Sequence, residues 1–400
     1  MSSKKINKTE IDNLWLKAAV VGGLWASIEI IIGSFLHNTR LPFAGSMLAF
    51  AGTVLLIGFY QIWPQKGLII RAGLITAVMK SVSPSAIIIG PMTGILLEAV
   101  LIEFVILIVG NNIVSLMLAG TLSLSSALFH KVISLLIFYG FDLIKVYVNV
   151  INFALKQFGL KEAGEWQILI ALLTVYTFFG VLAATLGYYI GRKAIRMRKD
   201  SNIIKLEERE IRPKEFFEIK DDQQTSIALL LIHILAIPTG LYLLNYWGMT
   251  IGLSFIVFYI LLIGYKYRFA LRRLKKPIFW SQLIIIVVLS ALFWDIGDDE
   301  RTWVSEDGII VGIEMMIRAL FIVIAFSALS VELRNEKVRR FLYRIGFGRF
   351  YQSVGMAFSA LPIMIALLPS SKEIIKNPLK SFLMPLIMAD SWLNMFEKSL

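Results

Sequence analysis

The chain has 400 residues, 57% of them hydrophobic and only 17% charged, with a mean hydropathy of +0.74. A soluble domain carries about 25% charged residues, so an ordinary soluble globule is excluded. The net charge of +12 does not indicate nucleic-acid binding, because the basic residues cluster just beyond apolar segments, as the positive-inside rule requires. There is no cysteine, which removes disulfides and thiolate chemistry, and the three histidines (His37, His130, His233) are too few for a histidine-rich metal site.

Apolar runs of roughly 18 or more residues mark membrane helices, and they are continuous rather than alternating, which argues against a β-barrel. The expected fold is an all-α polytopic membrane protein with about ten to eleven transmembrane helices in two helical-bundle domains. The opening MSSKKINKTEIDN reads as a charged cytoplasmic tail before a retained first helix, not as a cleaved signal. In chain order the spans are expected at about 16–36, 45–62, 67–80, 86–110, 113–138 and 168–190. Further spans follow at 226–245, 248–264, 279–295 and 309–330, with a last apolar stretch at 352–369.

Basic loops orient these spans. Lys4, Lys5 and Lys8 put the N-terminus in the cytoplasm. RKAIRMRK (192–199), KYRFALRRLKK (266–276) and RNEKVRR (334–340) then all fall inside, and the acidic loop DIGDDERTWVSEDG (295–308) falls outside. Counting 141–158 as a further span would invert that pattern. Its polar residues Asp142, Lys145, Asn149, Asn152 and Lys156 recur at helical spacing and draw one stripe. It is expected either to lie at the outer interface or to turn its stripe to an aqueous cavity. Residues 200–224 are charged, of mixed sign, and read as a cytoplasmic linker between a first domain (1–199) and a second (225–400).

No nucleotide-binding loop, H-E-x-x-H, G-x-S-x-G or zinc pattern occurs, so no catalytic residue and no metal or other cofactor is assigned. Charges at membrane depth are costly and are retained for pairing or function. Arg71, at the inner end of the third span, and Glu103, in the inner half of the fourth, form an expected structural ion pair. Lys80 ends the third span, with Glu29 and Glu98 placed to converge below it and Trp25 one turn below Glu29. With His37, Asn38 and Arg40 of the following loop, these seven residues are the candidate ligand pocket. The alternative is that Lys80 snorkels to the outer interface. Small residues at Ala18, Gly22 and Ala26, with Ala19 and Gly23 alongside, make the first helix able to approach a neighbour closely, either inside its own bundle or as a docking face. Gly90 and Gly94 form a second such pair.

The first half, with LPFAGSMLAFAG (41–52) and KGLIIRAG followed by SVSPSAIIIGPMTGILLEAVLIE, resembles the substrate-binding S components of energy-coupling-factor vitamin transporters. The small-residue face of its first helix is similar to the A-x-x-x-A surface with which those proteins dock. The second half, centred on Gly308 to Ile374, looks like the transmembrane T component of the same systems. The resemblance implies a membrane subunit of an importer in the bacterial cytoplasmic (inner) membrane. It would capture a vitamin-like small molecule outside and couple uptake to separate cytoplasmic ATPases, itself being no enzyme. Arg334, Arg339, Arg340 and Arg344 are the candidates for docking those ATPases, against a plain role as positive-inside anchors. The Ala-Arg-Gly-like triplets usual in T components are absent from this part. Cobalt and nickel members carry an N-terminal Met-His site that this chain lacks, and Arg40 with Lys80 favours a ligand with an anionic group. The alternatives are a membrane scaffold or signalling subunit, or a lipid-modifying membrane enzyme using Glu29, Glu98 and Lys80.

Overall fold

The computed structural model describes residues 12–38, 43–81, 89–200, 227–247, 249–264, 266–267, 274, 277–295, 304–332, 348–367 and 377–398. All regular structure among them is helical. The first half contains α1 (Asn13–Asn38), α2 (Ala44–Ile62), α3 (Leu68–Ser81), α4 (Ile89–Val109), α5 (Ile113–Tyr139), α6 (Asp142–Gln157) and α7 (Glu165–Asp200). Then come α8 (Ile227–Tyr246), α9 (Met249–Gly264), α10 (Pro277–Phe293) and α11 (Glu306–Glu332). The last helices are α12 (Gly348–Leu367), α13 (Pro378–Ile387) and α14 (Ala389–Glu397). Among the described residues, five helices are long and apolar enough to cross a membrane: Ala44–Ile62, Gly90–Val109, Ile113–Tyr139, Glu165–Arg198 and Glu306–Leu329. Shorter apolar helices cover Ala228–Leu244, Thr250–Ile263, Phe279–Phe293 and Gln352–Ile365. The chain is a helical membrane protein.

The helices α1 to α5 and α7 pass up and down one bundle, whose basal end holds the start of α1 and whose apical end holds its finish. Turns too short to travel enforce this order; Asn112, for example, caps α5 by accepting from the Ser115 amide at 2.8 Å. The bundle core is Trp25, Leu55, Ile57, Phe59, Ile75 and their neighbours, all withdrawn from solvent. The small residues of α1 serve two faces. A methyl group on Gly22 would lie 2.8 Å from the Ala72 carbonyl of α3, and one on Gly23 would lie 2.9 Å from the Met364 sulfur of α12. Both readings of that face are therefore realised, one on each side. Gly90 and Gly94 make no such contact: a methyl on Gly90 meets nothing within 4 Å.

The C-terminal helices belong to the core of the first half, although the chain reaches them last. Phe350, Ala357 and Met364 of α12 and Leu386, Trp392 and Phe396 of α13 and α14 share one apolar cluster with α1, α2, α3 and α7. Trp15 packs on Phe350, and Arg198 of α7 pairs with Asp390 of α14 at the basal end. The first core therefore recruits residues from beyond the expected boundary at residue 225. Between these elements, α8 to α11 build smaller clusters around Phe321, Tyr259 and Leu283.

The polar stripe of α6 is shared between protein and solvent: Asn149 and Asn152 are half-buried, and Lys145 and Lys156 are exposed. Lys145 lies 4.0 Å from the centre of the Trp294 ring, and Asn149 Nδ2 donates to the carbonyls of Phe293 (2.7 Å) and Trp294 (3.3 Å), closing the C-terminal end of α10. The remainder folds back on its own loop: Asn152 accepts from the Ala163 amide and Lys156 pairs with Glu162. The partners of the stripe lie outside α6 itself. In the opposite sense, Arg318 of α11 donates to the Tyr139 carbonyl (2.6 Å) at the end of α5. Gly140, at φ +85°, turns the chain there, and a side chain would collide with the guanidinium.

A leucine at Gly23 has no room against α12. Gly23→Leu is expected to cost about 2 kcal/mol, read as a lower midpoint of thermal unfolding in detergent, and to open residues 348–397 to limited proteolysis. Unchanged protease resistance would contradict the packing described.

Candidate functional site

The parallel packing of α1 and α3 builds the first part of the site. Thr76 Oγ1 donates to the Gly22 carbonyl across the two helices at 3.0 Å. One turn further, Lys80 Nζ donates to the Glu29 carbonyl at 2.8 Å and lies 3.2 Å from Glu29 Oε2. Both residues are buried, 8% and 6% exposed. Space for the ammonium comes from Gly33, where a methyl would stand 3.3 Å from Nζ. Because α3 has only 14 residues, it ends before α1 does, and Lys80 turns inward onto α1. The snorkelling alternative is thus overturned, and so is the premise that Lys80 offers a free charge to an anion.

A second carboxylate lies nearby. Glu98, midway along α4, is 5% exposed, and its Oε1 accepts from Thr53 Oγ1 of α2 at 3.0 Å. Thr53 also bonds Ser123 Oγ of α5 at 2.8 Å. No described ammonium or guanidinium forms an ion pair with Glu98, and the Glu29 charge is close enough to act on it. The Trp25 indole N–H, fully buried, finds no hydrogen-bond partner among the described residues. Both groups lie over the Gly52 Cα: a methyl there would come 2.7 Å from Trp25 Nε1 and 2.8 Å from Glu98 Oε1. Gly52, Thr53 and Ser123 were not singled out from the sequence. The run LPFAGSMLAFAGT contains two of them, but only packing shows which glycine faces the site.

Arg71 and Glu103 do not pair with each other. Glu103 accepts from the amides of Gly67 (2.6 Å), Ile69 (2.9 Å) and Ile70 (3.3 Å), so its carboxylate caps the start of α3. Four amides are left open at a helix start, and in apolar surroundings they compete for a carboxylate as strongly as a guanidinium does. Arg71 instead bonds the Gly67 carbonyl and lies 5.2 Å from the centre of the Trp15 ring. The expected ion pair is replaced by a helix cap and a cation–π contact.

Of the remaining candidates, His37 and Asn38 end α1, but the structure describes no side chain for either. Arg40, Arg334, Arg339, Arg340 and Arg344, with most of the linker and the Ser-Pro turn after Lys80, lie outside the described residues. His130 Nε2 shares a hydrogen with Thr93 Oγ1 at 2.9 Å, away from the cluster. A further polar chain ties together α8, the end of α9 and α11. Tyr267 donates to Glu332, so His233 donates Nε2–H to the Tyr267 oxygen (3.1 Å) and accepts at Nδ1 from Tyr259 (2.8 Å). Lys266 stands 3.7 Å from the same carboxylate. No spacing rule connects residues 233, 259, 267 and 332, so the sequence carried no signal for this brace.

With the geometry in hand, comparison with protein families, with characterised proteins and with solved structures finds no match to the chain.

Breaking the buried pair from one side leaves a charge alone in the bundle. Lys80→Met or Glu29→Met is expected to cost about 3–5 kcal/mol, with most of the loss recovered in the double variant; denaturant unfolding of the three variants measures it. For the cap, Glu103→Ala is expected to destabilise by about 2 kcal/mol more than Arg71→Leu. Equal losses would restore the direct pairing of the two side chains.

Proposed function

We propose that the chain is the membrane subunit of an energy-coupling-factor-type importer of the bacterial cytoplasmic membrane. In this reading about ten helices cross the bilayer, with the N-terminus in the cytoplasm and the apical end outside. The first bundle captures a vitamin-like small molecule, and separate ATPases supply the work. One observation carries the reading: Lys80, Glu29, Glu98 and a Trp25 N–H with no partner among the described residues meet at the middle of a largely apolar bundle. Three ionisable groups at that depth are costly, and a bundle needing only stability is served as well by apolar packing. A carboxylate with no counter-ion and a donor with no acceptor suit a polar guest.

The second half has a place in the same reading. Its helices α12 to α14 line the basal end of the first bundle, where a cytoplasmic ATPase approaches. Arg334, Arg339, Arg340 and Arg344 precede α12 and are the proposed ATPase-docking residues. The caps made by Asn149 and Arg318 hold α8 to α11 against the apical side, so movement in the second half has mechanical contacts through which to reach the first.

The test is purification from the native membrane in mild detergent, with mass spectrometry of what accompanies the chain. An ATPase pair and a bound small molecule are expected, with cellular uptake of that molecule lost when the ATPase hydrolytic glutamate is changed to glutamine. Recovery of neither an ATPase nor a small molecule would overturn the proposal. Turnover of lipid by the chain alone would replace it with an enzyme.

A further inference from the structure

We infer that the polar cluster of the first bundle is a receptor for a small organic cation that also carries a hydrogen-bond acceptor. The inference rests on the importer reading and adds the ligand's charge class. As ionised groups, two carboxylates face one ammonium here, and that ammonium is already committed. Lys80 spends its charge on Glu29 Oε2 and a further hydrogen on the Glu29 carbonyl. An anionic ligand would have to displace Glu29 from Lys80 and approach Glu98 as well, so the cluster repels it.

Glu98 is in the opposite position. Its described partners are neutral hydroxyls: Thr53 Oγ1 donates to Oε1, and Ser123, bonded to Thr53, also reaches the carboxylate. A hydroxyl orients a carboxylate but does not neutralise it, and an isolated buried carboxylate takes up a proton unless a positive charge reaches it, so a cation enters as that proton leaves. Trp25 supplies the second feature. Its N–H is completely buried, finds no partner among the described residues, and lies with Glu98 Oε1 over the same glycine. Because the indole nitrogen only donates, the group that satisfies it is an acceptor. One ligand meeting both presents a positive nitrogen or N–H edge to Glu98 and a carbonyl, hydroxyl or ring nitrogen to Trp25. Gly52 keeps the two protein groups side by side, since any side chain there would push them apart.

Three pyridine derivatives of one shape separate the charge classes: 1-methylnicotinamide (cation), nicotinamide (neutral) and nicotinate (anion). Calorimetry on the purified full chain is expected to show the cation binding about tenfold or more tighter than the anion. Glu98→Gln, which keeps the shape and the Thr53 hydrogen bond, is expected to abolish that preference. Trp25→Phe removes the N–H together with part of the ring, and is expected to weaken the cation severalfold while leaving its advantage over nicotinate intact. Nicotinate binding as tightly as the cation, or a preference that survives Glu98→Gln, overturns the assignment. So does a co-purified small molecule that proves to be anionic, and in that case the importer reading stands. Absence of both a co-purified small molecule and an ATPase removes the importer reading, and this inference with it.

Discussion

A helix end leaves backbone amides or carbonyls open, and much of this structure follows from how side chains of other helices meet them. Glu103 meets the amides at the start of α3, Asn149 the carbonyls at the end of α10, and Arg318 the carbonyl at the end of α5. Each capping side chain comes from another helix, so closing an end also fixes the position of a neighbour. The caps at α5 and α10 are reciprocal, since α11 closes a helix of the first bundle and α6 closes a helix of the α10–α11 hairpin. Two parts of the chain that pack largely separate cores are thereby joined through polar contacts whose geometry tolerates little slippage.

The same constraint explains which charges are available for chemistry. Glu103 and Arg71 belong to the start of α3, with Arg71 bonded to the Gly67 carbonyl and laid over Trp15. Lys80 belongs to α1 through the Glu29 carbonyl and carboxylate. After those commitments, the described polar groups of the bundle centre retain one carboxylate without a counter-ion and one indole N–H without an acceptor. A site in such a bundle is recognised by what its structural bonds leave unsatisfied, more than by how many charges it holds.

The helical character of the fold was legible because apolar run length is a direct record of a membrane solvent. Counting passes places Lys80 at the outer end of its span with Glu29 and Glu98 below it, and the structure brings Lys80 onto Glu29 and Glu98 beside Trp25. Depth along a helix says nothing of direction around it, and that is where the reading stopped. Arg71 and Glu103 share a level, yet backbone amides, which have no letter in the sequence, took the carboxylate. The stripe on α6 was visible as a stripe, while its partners Trp294 and Phe293 lie some 145 residues away. Gly52 could not be told from the other glycines until Trp25 and Glu98 were found above it. The brace through His233, Tyr259, Tyr267 and Glu332 joins residues with no regular spacing.

The recruitment of α12, α13 and α14 into the first core has a consequence for the order of events during synthesis. The ribosome makes α1 to α7 first, with the Gly23 face and the basal ends of α2 and α7 still uncovered. Those surfaces wait through the manufacture of α8 to α11 before residues 348–397 arrive to fill them. The first bundle therefore cannot mature on its own early in translation. Its core is completed only when the later helices have been made, and a product that stops before residue 348 leaves an apolar groove along α1 unfilled.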